Sequence, residues 1–190
     1  DAIPEIAGKL RLQKKPVAHT SGSVPMDAIR DISTNHGVFY PLQTFVKNRD
    51  VDFSDIPLCI EGADQETENL LAGPAHEISS VVRFISSGQR QMIHIAAVFA
   101  SNFTNFMYLM GADVLKDAGV GFDILHPLIR ETAAKACKTP PHAAQTGPAM
   151  RGDEKVIRKH LEMLAGDPEK QAVYRQLSEH ISSYFKSGIK

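Results

Sequence analysis

Four side chains in the stretch from Ser86 to Gly119, SSGQRQMIHIAAVFASNFTNFMYLMGADVLKDAG, have the types and spacing for acid–base chemistry. At about 100° per residue, Arg90, His94, Ser101 and Asn105 fall within roughly 60° of helical arc. Only the small Ala97 interrupts the row, and Asn102 and Thr104 flank it. Histidine takes or gives a proton near neutral pH, and an asparagine beside it orients a carbonyl or hydroxyl. The same pattern also describes an interior histidine satisfied in a helix–helix contact, and periodicity leaves both readings open.

Three further places collect polar residues that a plain core does not need. His19-Thr20-Ser21-Gly22-Ser23 leaves the C-terminal end of an expected parallel strand, where open α/β sheets bind a cofactor ring or an anion. A turn with a helix cap explains it equally well. Tyr40-Pro41-Leu42-Gln43-Thr44-Phe45 passes from a strand end into a loop, either lining the same cleft or forming an aromatic-flanked edge strand. In the loop Gln145 to Asp153, Arg151 and Asp153 either serve a ligand or pair and cap the next helix. No HExxH, GxSxG or CxxC occurs, and no His pair at ligand spacing, so metal hydrolase, serine hydrolase and thiol redox chemistry lack support. No metal site is expected. No GxGxxG follows a strand, so the chain carries no dinucleotide fingerprint of its own.

The elements that would position these groups change character along the chain. Residues 1–12 read as a short helix with Asp1 near its cap, 15–20 as a strand, and 26–33 as a helix with Ser23 as N-cap. Strands follow at 37–40, 57–61 and 80–85, with a surface loop at 46–55 and a helix at 64–78 interrupted by Gly73-Pro74. After Ser86 the strand signal vanishes. One long helix, apolar on nearly every side and so expected to be buried, precedes helices at 122–138, 154–164 and 168–186, with 139–153 too rich in Pro and Gly to be regular.

The composition narrows the setting. With 190 residues and 43% hydrophobic content the chain can bury a core. Lys and Arg number 21 against 22 Asp and Glu, a net charge of −1 that gives no electrostatic reason for nucleic acid or an acidic membrane as partner. No run reaches the ~18 consecutive apolar residues of a membrane span, and no signal-peptide pattern opens the chain. Cys59 and Cys137 read as packing residues in a reducing, cytoplasmic setting.

Taken together, HTSGSVP at 19–25, GVFYPLQTF at 37–45, HIAAVFASNFTNFMY at 94–108 and AQTGPAMRGD at 144–153 resemble one family, in its order and spacing over nearly the whole chain. It comprises the Rossmann-like proteins with a DUF2520 C-terminal domain, which carry the provisional label of NADP oxidoreductases. The resemblance implies α/β followed by all-α: at 1–85 the back half of a Rossmann-like parallel sheet, and at 86–190 a helical domain similar to the C-terminal part of 6-phosphogluconate dehydrogenase. Members begin with a strand and a GxGxxG turn. Asp1 therefore corresponds to a point past the first βαβ units, which leaves nucleotide binding by this polypeptide open even where a longer form holds NADP or NAD.

Related dehydrogenases acting on prephenate, 3-hydroxy acids or ketopantoate carry a catalytic Lys or His and an Asn on the first long helix. By resemblance His94 sits where that residue would be, with Asn102 or Asn105 as its partner. The chain departs from the lysine-bearing members, since this face holds no Lys. The same resemblance places His19, Thr20, Ser21 and Gly22 at the cofactor. It implies Tyr40, Gln43, Ser101 and Arg151 as contacts of a small hydroxy or keto substrate, in a cleft between the domains, and a homodimer formed through the helical domain. The implied function is hydride transfer between a nicotinamide cofactor and that substrate. The alternative is a non-catalytic dimeric binding or regulatory module that keeps the fold.

Overall fold

The computed structural model describes residues 2–186; Asp1, the expected cap, lies outside the described residues. The chain forms two compact units, Asp1–Phe106 and Met107–Lys190.

The first unit is built on a four-stranded sheet in the order β1 (Val17–His19), β2 (His36–Pro41), β3 (Leu58–Gly62), β4 (Val82–Phe84). The pairs β1/β2 and β3/β4 are parallel, and β2/β3 is antiparallel. The sheet is thus mostly parallel, as expected, with one antiparallel pair, and the connections give the reason for it. A 3₁₀ turn, Met26–Ile29, lies between β1 and β2, and helix α2 (Gln65–Ile78) lies between β3 and β4, so both are crossovers. The stretch after β2 is an irregular loop without a crossover helix, and a chain that returns this way pairs antiparallel. The helix expected at 26–33 is only that 3₁₀ turn, and its N-cap is Pro25 rather than Ser23.

Strand β3 is the centre of the core. Leu58, Cys59 and Ile60 are all buried, because both faces of this part of the strand are covered. Ile56, Leu58, Ile60, Val82 and Ala75 of α2 form the main cluster, with Phe39, Val51 and Phe53 against it. A second cluster joins Ala7 of α1 (Ile3–Ala7) to Ile29 and Ile32, with Val17 against it.

Asp64 caps α2 by accepting the Thr67 amide at 2.8 Å. The helix then runs through Pro74 without the break that Gly73-Pro74 suggested. A proline there leaves the Leu70 carbonyl without its helical donor, but both residues lie on the exposed side, where water can take its place.

The long helix starts at a complete capping box, in which Ser86 and Gln89 satisfy each other's backbone amides. It runs as α3 (Ser87–Ala97), a π segment (Val98–Phe103) and α4 (Thr104–Asp117), and the boundary between the two units falls inside α4. Its expected burial is not found. Arg90 is the one buried residue of α3, and none is buried in the π segment or α4. Met92 and Phe99 are 65% and 64% exposed. In the first unit its first turn is the buried part, and beyond it Ile93, Ala97 and Val98 are half-buried. By length and composition Ser87–Asp117 would also suffice to cross a membrane, with a mean hydropathy of 1.2 and none of that window buried.

The second unit is helical throughout: a 3₁₀ turn at Phe122–Leu125, α5 (His126–Lys138), α6 (Pro141–Ala144), α7 (Pro148–Arg151), α8 (Glu154–Met163) and α9 (Pro168–Lys186). The stretch expected to be irregular contains α6 and α7, each opened by a proline whose fixed φ suits a first helical turn. Asp153 caps α8 through the Val156 amide, as expected, and Gln171 donates to the Leu161 carbonyl at 2.8 Å, tying α9 to α8. Cys137 is exposed and is not the packing residue expected, whereas Cys59 is.

The proline in α2 sets a test of this account. Pro74→Ala restores one helical hydrogen bond at an exposed position, and it also frees the unfolded chain slightly. The net expectation is a stabilisation of about 2 kcal/mol, read as a higher urea midpoint. A lower midpoint would mean that the proline ring itself holds α2 in place.

Candidate functional site

The site is assembled around the first turn of α3. Glu61, at the end of β3, accepts the Ser87 amide at 2.7 Å and the Ser87 hydroxyl at 2.8 Å, placing its carboxylate at a helix N-terminus where the backbone dipole favours negative charge. Arg90, one turn further on, pairs with the same carboxylate. Its Nε donates to the Ser21 carbonyl at 3.2 Å, and its NH2 donates to the Val24 carbonyl at 2.7 Å and to the Ser87 hydroxyl at 3.2 Å. Gln91 adds a bond to the Ser23 carbonyl at 3.1 Å. The loop that leaves β1 is therefore stitched to the helix by three of its carbonyls. Arg90 is fully buried in this role and does not face a cleft, as its place in the polar row suggested.

The loop is held so close that Gly22 has no room for a side chain. A Cβ there would lie 2.8 Å from His94 Nδ1 and 2.9 Å from the Tyr40 hydroxyl oxygen. The imidazole and the phenol thus converge on one bare stretch of backbone, and their polar atoms are no further apart than those two distances end to end. Burial raises the Tyr40 pKa, with a smaller push from Cys59 against the opposing pull of Arg90, so the phenol keeps its proton and can donate it in a hydrogen bond.

Beside this contact lies an open groove of about 460 Å³. Tyr40, Gln43, Thr44, His94, Ser101 and Asn102 give it polar groups, and Leu42, Ile93, Ala97 and Val98 give it apolar walls. It falls in the size range of a small-molecule pocket.

Five of the expected site residues, His94, Tyr40, Gln43, Ser101 and Asn102, thus meet at one groove. Asn105 does not line it. The π segment lies between His94 and Asn105, and its wider turn shifts the periodicity that put Asn105 on the face of His94 and Ser101. Of the loop residues, Gly22 touches the groove's His94 and Tyr40. His19 is buried and points inward, its Nδ1 accepting the Ser21 amide at 3.2 Å and its Nε2 facing the Pro25 carbonyl at 3.3 Å. Thr20 is exposed, and Arg151, at the end of α7, is an exposed residue of the second unit.

The fold and this geometry can be set beside known proteins. Residues 56–181 match the domain of unknown function DUF2520. The chain belongs to the DUF2520 family. A solved structure described as a "putative NADP oxidoreductase" from Bacteroides fragilis superposes with a TM-score of 0.84 at 46% identity, over 88% of this chain and 65% of that one. A Thermotoga maritima protein superposes at 0.79 over 100% of this chain and 76% of its own, and at 21% identity the likeness is one of fold. No curated protein matches. This DUF2520 chain therefore has an oxidoreductase-like fold, Rossmann-like at the start and helical after it, and spans 65% of the length of the Bacteroides protein.

How far these residues fit NADP can be judged from the loop. The amides of Ser21, Ser23 and Val24 all donate inside it, to His19 and to the Ser21 hydroxyl, so it is a self-satisfied turn and offers no anion cradle. Gly22 is buried, with the His94 and Tyr40 rings filling the place of its side chain, and the diphosphate has no glycine-rich turn in this DUF2520 chain.

Glu61 and Ser87 escaped sequence reasoning. The readable signal was a carboxylate closing an otherwise apolar buried strand, which calls for a cation or a helix N-terminus nearby, and here it has both.

Two tests follow from this network. Arg90→Met leaves the Glu61 carboxylate partly buried and without its cation, and is expected to cost about 3–5 kcal/mol in urea unfolding, part of which returns when Glu61→Gln is added. A loss below about 1 kcal/mol would remove the pair from its anchoring role. The second concerns His19, whose pKa is held below its ordinary value. Exclusion of water is the main cause; the Pro25 carbonyl opposes it, Arg90 reinforces it and Glu61 opposes it. The unfolded chain then binds the proton more readily, near pH 6.5, so this contribution to stability is complete above about 6.5 and is lost as pH falls through the lower folded value. His19→Gln is expected to flatten the acid side of the stability–pH curve, and an unchanged slope would exclude His19 as its source.

Proposed function

We propose that this DUF2520 protein is an NAD(P)-dependent oxidoreductase in which His94 exchanges the hydroxyl proton of a small hydroxy or keto substrate. The observation that carries the reading is the convergence of the His94 imidazole and the Tyr40 phenol on Gly22 at the edge of the groove. Histidine moves a proton near neutral pH, and a phenol that stays protonated donates to the same substrate oxygen. Asn102, brought to the groove by the π segment, orients that oxygen, and Ser101 and Gln43 hold the rest of the molecule. NADP, when bound, would supply the hydride acceptor or donor, while His94 and Tyr40 would hold the substrate oxygen and its proton. The name borne by the Bacteroides relative supports NADP as the cofactor.

A second reading keeps the fold without the chemistry: a dimeric binding or regulatory module. It is favoured by the exposed apolar residues of the long helix in the first unit, where Met92, Phe99 and Phe103 suit a second copy of the chain. A homodimer through the helices is compatible with either reading.

The test uses the longest polypeptide that the reading frame encodes, assayed by NADPH oxidation against a panel of small aldehydes and ketones. His94→Ala is expected to lower turnover by about 10²–10⁴-fold, the usual contribution of a general acid–base group, with NADPH affinity nearly unchanged. Unchanged turnover would take His94 out of the chemistry, and binding without turnover across the panel would favour the module.

A further inference from the structure

A groove declares the charge of what it takes by where it puts its own. None of the described residues that line this one is Asp, Glu, Lys or Arg. The cation best placed to receive a substrate carboxylate is Arg90, one helical turn before His94 on the same side of α3. Its side chain is 1% exposed, and all three of its nitrogens are committed, to Glu61, to the Ser21 and Val24 carbonyls and to the Ser87 hydroxyl. An anion entering the groove would shed water against Ile93, Ala97 and Val98 and find no permanent cation, only the His94 imidazole that the reaction needs for its proton. A neutral hydroxyl or carbonyl compound finds donors and acceptors matched to it in Gln43, Ser101 and Asn102.

We infer that the groove takes an uncharged alcohol or carbonyl compound with an apolar body, and that it discriminates against hydroxy and keto acids. This rests on the reading of the groove as the substrate site. Gln43 and Asn102 read the polar end, the walls from Leu42 to Val98 take the chain, and the Arg90–Glu61 pair works by withholding its charge.

The experiment compares two ketones of similar length, 2-hexanone and 4-oxopentanoate, at pH 7.5. Their binding to this chain is followed through the ring resonances of His94 and Tyr40, with no cofactor present. The expected result is a perturbation of both rings by 2-hexanone, at least 10-fold tighter than by 4-oxopentanoate. Equal or tighter binding of the acid would overturn the inference, as would silence from both probes. Val98→Arg, at a half-buried position of the groove wall, places a cation there and is expected to shift the preference at least 10-fold toward 4-oxopentanoate; no shift would mean that the probes bind elsewhere and would also overturn it. NADPH oxidation is read separately on the longest encoded polypeptide. Binding of 2-hexanone at the two rings without oxidation would sink the oxidoreductase reading and leave the ligand class standing, whereas oxidation driven by 4-oxopentanoate in preference to 2-hexanone would do the reverse.

Discussion

The ion pair between Arg90 and Glu61 is the contact on which the first unit depends. Taking two charges out of water costs several kcal/mol per ion, and the attraction between them offsets that only when the remaining donors and lone pairs are also satisfied. Here they are. The guanidinium serves a carboxylate, two carbonyls and a hydroxyl, and the carboxylate serves the guanidinium, the Ser87 hydroxyl and a helix N-terminal amide. Three segments far apart in sequence thereby share one point: the end of β3, the loop after β1 and the start of α3. The Ser87 hydroxyl closes the set by accepting the Met26 amide at 2.9 Å, which brings in the 3₁₀ turn as well.

The geometry of the groove is a consequence of that point. Because the carbonyls of Ser21, Ser23 and Val24 are drawn onto α3, the backbone between them is pressed against the next turn of the helix, which carries His94. Only glycine fits there, since a Cβ would overlap both rings. Tyr40 reaches the same place from β2, whose position is set by its antiparallel ladder to β3, the strand that ends in Glu61. One buried pair therefore fixes the loop, the helix and, through the sheet, the phenol. It does so while leaving no charge free at the groove's surface, so anchoring and electrostatic neutrality come from the same two side chains.

Much of this was legible beforehand, and the parts that were not have identifiable physical causes. The strands around Val17, Val38, Leu58 and Val82 could be read from short apolar runs bounded by turn residues, and the start of the long helix from Ser86. The phrases around His19, Tyr40, His94 and Arg151 led to the family that residues 56–181 match. The polar row was a true feature whose members part company in space: Arg90 turns inward, His94 and Ser101 line the groove, and Asn105 does not. Periodicity could not separate them, because it knows nothing of a carboxylate 29 residues upstream and it assumes 3.6 residues in every turn. The expected burial of the helix failed for a related reason. Apolar composition measures a demand for cover, and it does not say that the same unit supplies it. The crossing of Pro74 by α2 was hidden because its cost depends on which side of the helix faces water.

The π segment is where these strands of reasoning meet. A widened turn leaves backbone groups out of the ordinary i to i−4 ladder, and something must hold it open. In this chain the Thr104 hydroxyl donates to the Phe99 carbonyl at 3.1 Å, five residues back, and Phe99 and Phe103 pack edge to face with their centroids 5.1 Å apart. Both devices lie in the phrase FASNFT, and the two phenylalanines are exposed and do not line the groove. The same widened turn carries Ser101 and Asn102, which both line it, whereas Asn105 beyond it does not. An aromatic pair that looks like surface thus belongs to the same widened turn as two of the groove's polar groups, which is why this helix cannot be read from one face alone.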